Sequence, residues 1–168
     1  VNSYLKNIKS NASSKLANAD ITIPVVVQIV YKNEDENLSD DIVKTQIDIL
    51  NADFNKLNDQ SNIPSTLLPT GEGKIQFCLQ QIIRTKTTAN KFILTGAGAN
   101  IDDLTLDATT TNPERGHTPY LQSTYLNIYV SDLADRNNAG NIVDGVGGFC
   151  KLPVSTTNSV FIDYTRFG

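Results

Sequence analysis

The sequence predicts an α/β fold: a mixed five-stranded sheet with one dominant backing helix. Three stretches carry that reading. "IPVVVQIVY" (23–31) is a near-continuous run of β-branched residues, the pattern of a strand covered on both faces. "SDDIVKTQIDILNADFNKL" (39–57) repeats apolar residues at spacings of four and three, the pattern of a helix that lays one face on a sheet. "TYLNIYVSDL" (124–133) alternates, the pattern of a half-buried strand.

Taken in order, residues 1–20 are polar with scattered apolar positions and read as a wrapping arm or short helix. The first strand covers 21–31, and Pro24 is tolerated because it precedes the ladder. The helix covers 39–57. Ser39 is its N-cap, with Asp40 and Asp41 in the first turn where the helix dipole favours negative charge. Val43, Ile47, Leu50, Phe54 and Leu57 form its apolar stripe, and Asp48, Asn51 and Asn55 lie off it. A loop marked by Pro64, Pro69, Gly71 and Gly73 leads to a second strand, 74–83, with Ile75, Phe77 and Leu79 on one face and Gln76, Cys78 and Gln80 on the other. The helix in this first crossover makes the two strands parallel, with a right-handed connection.

Residues 84–123 are rich in Thr, Asn and Gly. "KFILTGAG" offers a short strand and "NIDDLTLD" a short helix, and part of the stretch must be ordered on the surface. The third strand is 124–133, followed by a polar loop, 135–145. "VGGFCKLP" (146–153) is a short strand with a Gly pair at its start and Pro153 at its end, which suits a sheet edge. "SVFIDYT" is the last strand, with Thr165–Gly168 as the turn after it. One helix on one side leaves most of one sheet face uncovered.

The chain has 168 residues, 39% hydrophobic and 19% charged, enough for one core and unlike a disordered segment. A formal net charge of -4 excludes a basic stripe for phosphates, so no nucleic-acid partner is expected. No run approaches the roughly 20 apolar residues that span a bilayer, so no membrane partner is expected either. Val1 lacks the charged and apolar regions of a signal peptide, and the missing initiator Met reads as a processed chain. Two cysteines, Cys78 and Cys150, are too few for a disulfide scaffold. They are open to pairing together, to staying as thiols, or to pairing with another segment.

The residues hold no complete catalytic set. His117, the single histidine, sits in "PERGHTPY" and reads as a solvated loop residue. A zinc site needs three or four ligands, and there is no H-E-x-x-H. No Ser sits in G-x-S-x-G. "TGAGAN" (95–100) lacks the G-x-x-x-x-G-K-[ST] of a phosphate loop, and "DENLSDD" lacks the D-x-D-x-D-G of a calcium loop.

Six segments nevertheless carry a resemblance. "IPVVVQIVY", "ENLSDDIVKTQIDILNADFNKLN", "IQFCL", "YLNIYVSDL", "GGFCKLP" and "VFIDYTRFG" resemble, in order and spacing, the pappalysin family of metzincin zinc metallopeptidases. The resemblance covers residues 21–168 and is poor over 84–123. Departures are Gln28 where the family has His, Tyr129 where it has Trp, and Phe149-Cys150 near a Tyr-Ala pair. It implies a metzincin-like N-terminal subdomain after an N-terminal arm (1–20). The sheet would have four parallel strands and one antiparallel edge strand above the cleft. It further implies that the family's H-E-x-x-H-x-x-G-x-x-H helix, with three zinc ligands and a general base, would follow "FG". The 168 residues would then be part of a secreted or extracytoplasmic zinc endopeptidase, inactive and zinc-free on their own.

On that resemblance "GGFCKLP" is the edge strand, and Gly147, Gly148, Phe149 and Cys150 are the substrate-binding residues. An extended peptide would add to the edge by main-chain hydrogen bonds, the glycines allowing close approach. A bulge- or turn-forming role for the glycines stays open. The implied strand order sets Cys78 and Cys150 four strand spacings apart, about 19 Å. A disulfide needs Cα atoms within about 7 Å, so the two are expected not to pair with each other. The uncovered face would favour self-association or docking of the remainder of the catalytic domain. The alternative is a non-enzymatic peptide- or partner-binding module on the same half-fold.

Overall fold

β1 (Ile21–Tyr31) is the central plank. A computed structural model describes residues 21–59, 61, 64, 74–94, 100–150 and 159–168. The arm at 1–20, most of "TGAGAN" and the "KLP" of 151–153 lie outside the described residues. Every residue from Val25 to Val30 is at most 1% exposed, as a strand with two covered faces requires.

β2 (Ile75–Lys86) runs parallel to β1 on one side, and β4 (Leu126–Ser131) runs parallel on the other. β8 (Ser159–Asp163) pairs parallel with β4, and β7 (Gly148–Cys150) closes the row antiparallel to β8. The order β2-β1-β4-β8-β7 is the expected mixed sheet, with four parallel strands and one antiparallel edge strand. Cys78 and Cys150 stand on its opposite edges as free thiols. β2 is longer than expected because a bulge keeps its apolar face in register. Val25 pairs with Leu79 and Val26 with Gln81, so Gln80 is the extra residue. The bulge shifts the inward parity from Leu79 to Ile82, and both pack on the same core.

α1 (Asp40–Phe54) starts where expected, the Ser39 side chain accepting from the Ile42 amide at 3.4 Å. It ends before 57. Val43 and Ile47 reach the core with Val25, Val27, Ile29, Phe77, Ile128 and Val130. Phe54, expected on the stripe, is 44% exposed and meets Phe77 edge to face at 4.9 Å. Asn51 and Asn55, expected off it, are buried. Asn51 pairs with both main-chain groups of Phe77, and Asn55 donates to Ile75 O at 2.8 Å. Their amides take up backbone groups on the outer side of β2, a contact that the apolar stripe does not reveal.

The expected uncovered sheet face is corrected. The 84–123 stretch brings Ala89, Phe92, Ile101 and Leu104 over Val30, Tyr129 and Phe161, which point away from α1. It contains β3 (Phe92–Ile93) and a 3-10 turn at Asp103–Thr105. The strand expected over 124–133 breaks at Ser131, because the Asp163 carboxylate accepts the Leu133 amide at 2.9 Å. β5 (Leu133–Arg136) turns into a second sheet, β3-β5-β6, with β6 (Ile142–Val143). The expected polar loop at 135–145 is therefore largely a hairpin. No helix among the described residues is long and apolar enough to cross a membrane.

Candidate functional site

The four residues expected to bind substrate fall on or beside one edge. Gly148, Phe149 and Cys150 form β7, facing Ile162, Phe161 and Val160 of β8, and Gly147 precedes them. β7 ends the strand order, so among the described residues its outer main chain faces no strand. Gly148 fits only without a side chain: a Cβ there would lie 2.7 Å from Phe161 O. At Gly147 a Cβ would meet nothing nearer than the Arg166 side chain at 3.8 Å. Its carbonyl accepts the Asp163 amide at 3.0 Å, extending the pairing beyond β7.

Phe149 anchors the edge. Its ring stacks on Phe161 at 4.7 Å, and Phe161 stacks on Tyr129 at 5.4 Å. The three rings run from the edge to the middle of the sheet on the face opposite α1. Such stacks add about 0.5–1.5 kcal/mol each beyond burial. Cys150 is exposed.

Beside the approach to β7 lies a cavity of about 450 Å³, bordered by Lys91, Asp132, Asp144–Val146 and Asp163–Arg166. Lys91 Nζ donates to both oxygens of Asp132, each at 3.0 Å, and reaches Asp144 Oδ1 at 2.8 Å. Burial opposes the ammonium, but hydrogen bonds and charge from Asp144 and Asp132 hold its pKa above the ordinary lysine range. Burial raises the Asp132 carboxyl; Lys91 opposes the rise, and the charges of Asp163 and Glu36 add to it. One cation serves several carboxylates, so it gains from them while the buried one is crowded by its neighbours. Sequence reading missed this cluster because its members are 41 and 12 residues apart along the chain.

Behind the aromatic stack, Gln28 is 1% exposed. Its Nε2 donates to Tyr129 Oη at 3.1 Å and Asn127 Oδ1 at 3.3 Å, while its Oε1 has no partner among the described residues. Tyr129 Oη donates to His117 O at 2.7 Å, and Asn127 bridges Tyr120 N and O. Burial, then the Asp107 charge, raises the Tyr129 pKa, keeping the phenol a donor. Gln28 and Tyr129 thus touch each other and pin the 116–125 loop to the sheet.

The described residues do not fit zinc. His117 is the chain's single histidine, and its Nδ1 lies 2.7 Å from Thr118 O. No group of three His, Cys, Asp or Glu able to hold a metal occurs among the described residues. The site is therefore a main-chain edge with an aromatic anchor and a charged strap, able to pair with an extended chain.

No protein-family model matches the chain. No curated protein matches it either. Solved structures do. Mirolysin in complex with a compound is 30% identical, with 90% of this chain and 55% of that chain covered and a TM-score of 0.71. Tannerella forsythia mature mirolysin in complex with a cleaved peptide is 31% identical over 88% of this chain and 54% of that chain, with a TM-score of 0.70. A point mutant of Tannerella forsythia promirolysin is 28% identical over 98% of this chain and 54% of that chain, also at 0.70. The chain thus spans about 55% of the mirolysin chain it matches. Overall fold and sequence identity converge on one likeness: over that half, this chain is similar to mirolysin, a metzincin-type zinc metallopeptidase.

Proposed function

We propose that residues 21–168 are the N-terminal, substrate-binding subdomain of a secreted, pappalysin-like zinc endopeptidase, preceded by an arm at 1–20. The edge formed by Gly147, Gly148, Phe149 and Cys150 pairs with an extended peptide, whose bond is then hydrolysed in the complete enzyme. The observation that carries this reading is β7 itself. It is antiparallel, anchored by one ring stack, and among the described residues without a strand on its outer side. A mirolysin structure holding a cleaved peptide supports a peptide as the occupant.

Zinc and its three histidines have no place among these residues, so in this reading they belong to a part of the protein outside the 168. The chain's own contribution is binding and alignment. Main-chain groups of β7 fix the peptide's register, and its side chains fall alternately on the two faces of the sheet. The 168-residue chain alone binds no zinc and cleaves nothing.

The test has two parts. The gene should encode an H-E-x-x-H segment downstream of Gly168. The protein carrying it should hydrolyse casein, lose activity to a chelator, and regain it with zinc. A gene with no such segment would sink the peptidase reading and leave a peptide-binding module.

A further inference from the structure

The approach to the edge strand is held by polar ties and by Val146, which packs beside Phe149 against the second core cluster. Asp144–Val146 border the cavity of about 450 Å³ shared with Asp163–Arg166. Asp144 and Gly145 are exposed, and Gly145 has a φ of +113°, which glycine takes without steric cost. Two ties cross to this segment. One is the Asp163 amide donating to Gly147 O at 3.0 Å. The other is Lys91, whose Nζ reaches Asp144 Oδ1 at 2.8 Å while donating to Asp132 Oδ1 and Oδ2 at 3.0 Å. An ammonium has three donors, and these three oxygens use them all. Lys91 immediately precedes β3, and Asp132 sits between β4 and β5. The loop is therefore fastened to both sheets through one side chain.

We infer that Lys91 is a positioning residue for the substrate edge: through Asp144 it fixes the 144–147 approach, so that β7 stays seated on β8 with its outer main chain presented. The consequence for peptide binding rests on the function proposed above; the seating of β7 does not. β7 is only three residues long, seated by its pairing with β8, the stack of Phe149 on Phe161 and the packing of Val146. A pair with one exposed partner has a modest effect on the whole fold, but here it acts on a short edge segment whose local opening is the event it opposes.

Lys91→Met keeps the aliphatic stem and removes the charge; Lys91→Arg restores it. Hydrogen exchange of the Asp163 amide reads the seating of β7, and that of the Phe77 amide, which donates to Asn51 of α1, reads the opposite edge of the sheet. Lys91→Met should speed exchange at Asp163 about fivefold and leave Phe77 unchanged. Lys91→Arg should return it toward wild type, and 0.5 M salt (a probe condition, of the order that shortens screening to a few Å) should mimic the loss in part. Unchanged exchange at Asp163, or equal acceleration at Phe77, overturns the inference. In parallel, a fluorescein-labelled Val/Thr-rich decapeptide is titrated. Its Kd should rise about fivefold in Lys91→Met and recover in Lys91→Arg. If wild type binds no such peptide while Asp163 exchange responds, the positioning role stands and the peptide reading falls.

Discussion

Asn51 of α1 and Phe77 of β2 exchange two hydrogen bonds: the Phe77 amide donates to Oδ1 at 2.7 Å, and Nδ2 donates to Phe77 O at 2.9 Å. The side-chain amide stands in for a neighbouring strand. With Asn55 donating to Ile75 O at 2.8 Å, it covers the Ile75–Phe77 end of the β2 edge, whereas among the described residues β7 has no strand on its outer side. An edge blocked in this way cannot template pairing with another chain.

Asn51→Ala should cost about 2–4 kcal/mol, because two buried main-chain groups lose their partners at once. Asn55→Ala should cost less, about 1–2 kcal/mol, since it frees only carbonyl oxygens. Urea midpoints give the ranking. Light scattering should also show more association in Asn51→Ala, whose β2 edge is reopened. A loss below about 0.5 kcal/mol would contradict the edge-closing role.

Gly148 and Gly147 separate a packing requirement from a permissive position. A Cβ at 148 would sit 2.7 Å from Phe161 O, a main-chain atom that cannot swing aside. Gly148→Ala should therefore push β7 off β8 and cost about 1–3 kcal/mol. At 147 the nearest atom is the flexible Arg166 Cγ at 3.8 Å, so Gly147→Ala should stay within about 0.5 kcal/mol of wild type. Thermal unfolding of the pair checks the contrast. Equal effects would mean that the edge is not seated as described.

Much of this architecture was legible, for reasons that differ by element. β1 announced itself because burial on both faces leaves a run of Val and Ile that few other environments produce. The helix start was legible in Ser39 and the two aspartates, since capping is local chemistry. Asn51 was misplaced because an apolar stripe says nothing about a polar side chain that meets a strand edge. The face covered by 84–123 was missed because Ala89, Phe92, Ile101 and Leu104 have no common period; tertiary packing alone brings them together. The break at Ser131 depends on Asp163, 30 residues from the Leu133 amide it accepts. The edge strand was legible in its Gly pair and in a resemblance, whereas Lys91, Asp132 and Asp144 had no sequence signature at all.

The acid limb of stability should carry two opposing contributions. Asp107 accepts the Thr118 amide at 2.7 Å, and hydrogen bonds from Thr118 hold its pKa below the ordinary carboxylate value. Its stabilisation is present above the unfolded pKa, about 3.9, and is lost as pH falls through the lower folded value. Asp132 has the reverse sign: burial raises its pKa, so the folded state binds the proton more tightly. Its contribution favours folding below about 3.9 and is lost as pH rises through the higher folded value. Asp107→Asn should flatten the fall in urea midpoint below pH 4. Asp132→Asn should make the midpoint rise more steeply with pH just above 4. The same change of slope in both variants would contradict the assignment.

Gln28 gives a less intuitive outcome, because it is both buried and incompletely paired. Its Oε1 has no partner among the described residues, while its Nε2 serves Tyr129 Oη and Asn127 Oδ1. Both partners keep another bond without it: Tyr129 Oη still donates to His117 O at 2.7 Å, and Asn127 Oδ1 still accepts the Tyr120 amide at 2.8 Å. Gln28→Met has nearly the same shape and removes the orphaned oxygen together with the two Nε2 bonds. The terms offset, so the variant should lie within about 1 kcal/mol of wild type. Tyr129→Phe removes one hydroxyl but strips partners from both Gln28 and the His117 carbonyl, and should cost about 1–3 kcal/mol. It should also loosen the 116–125 loop, because Tyr129 ties His117 to the sheet. Urea unfolding ranks the two variants, and proteolysis within the loop reads the local effect. A Gln28→Met loss larger than that of Tyr129→Phe would place the weight of the network on Gln28 instead, and would mean that its Oε1 has a partner.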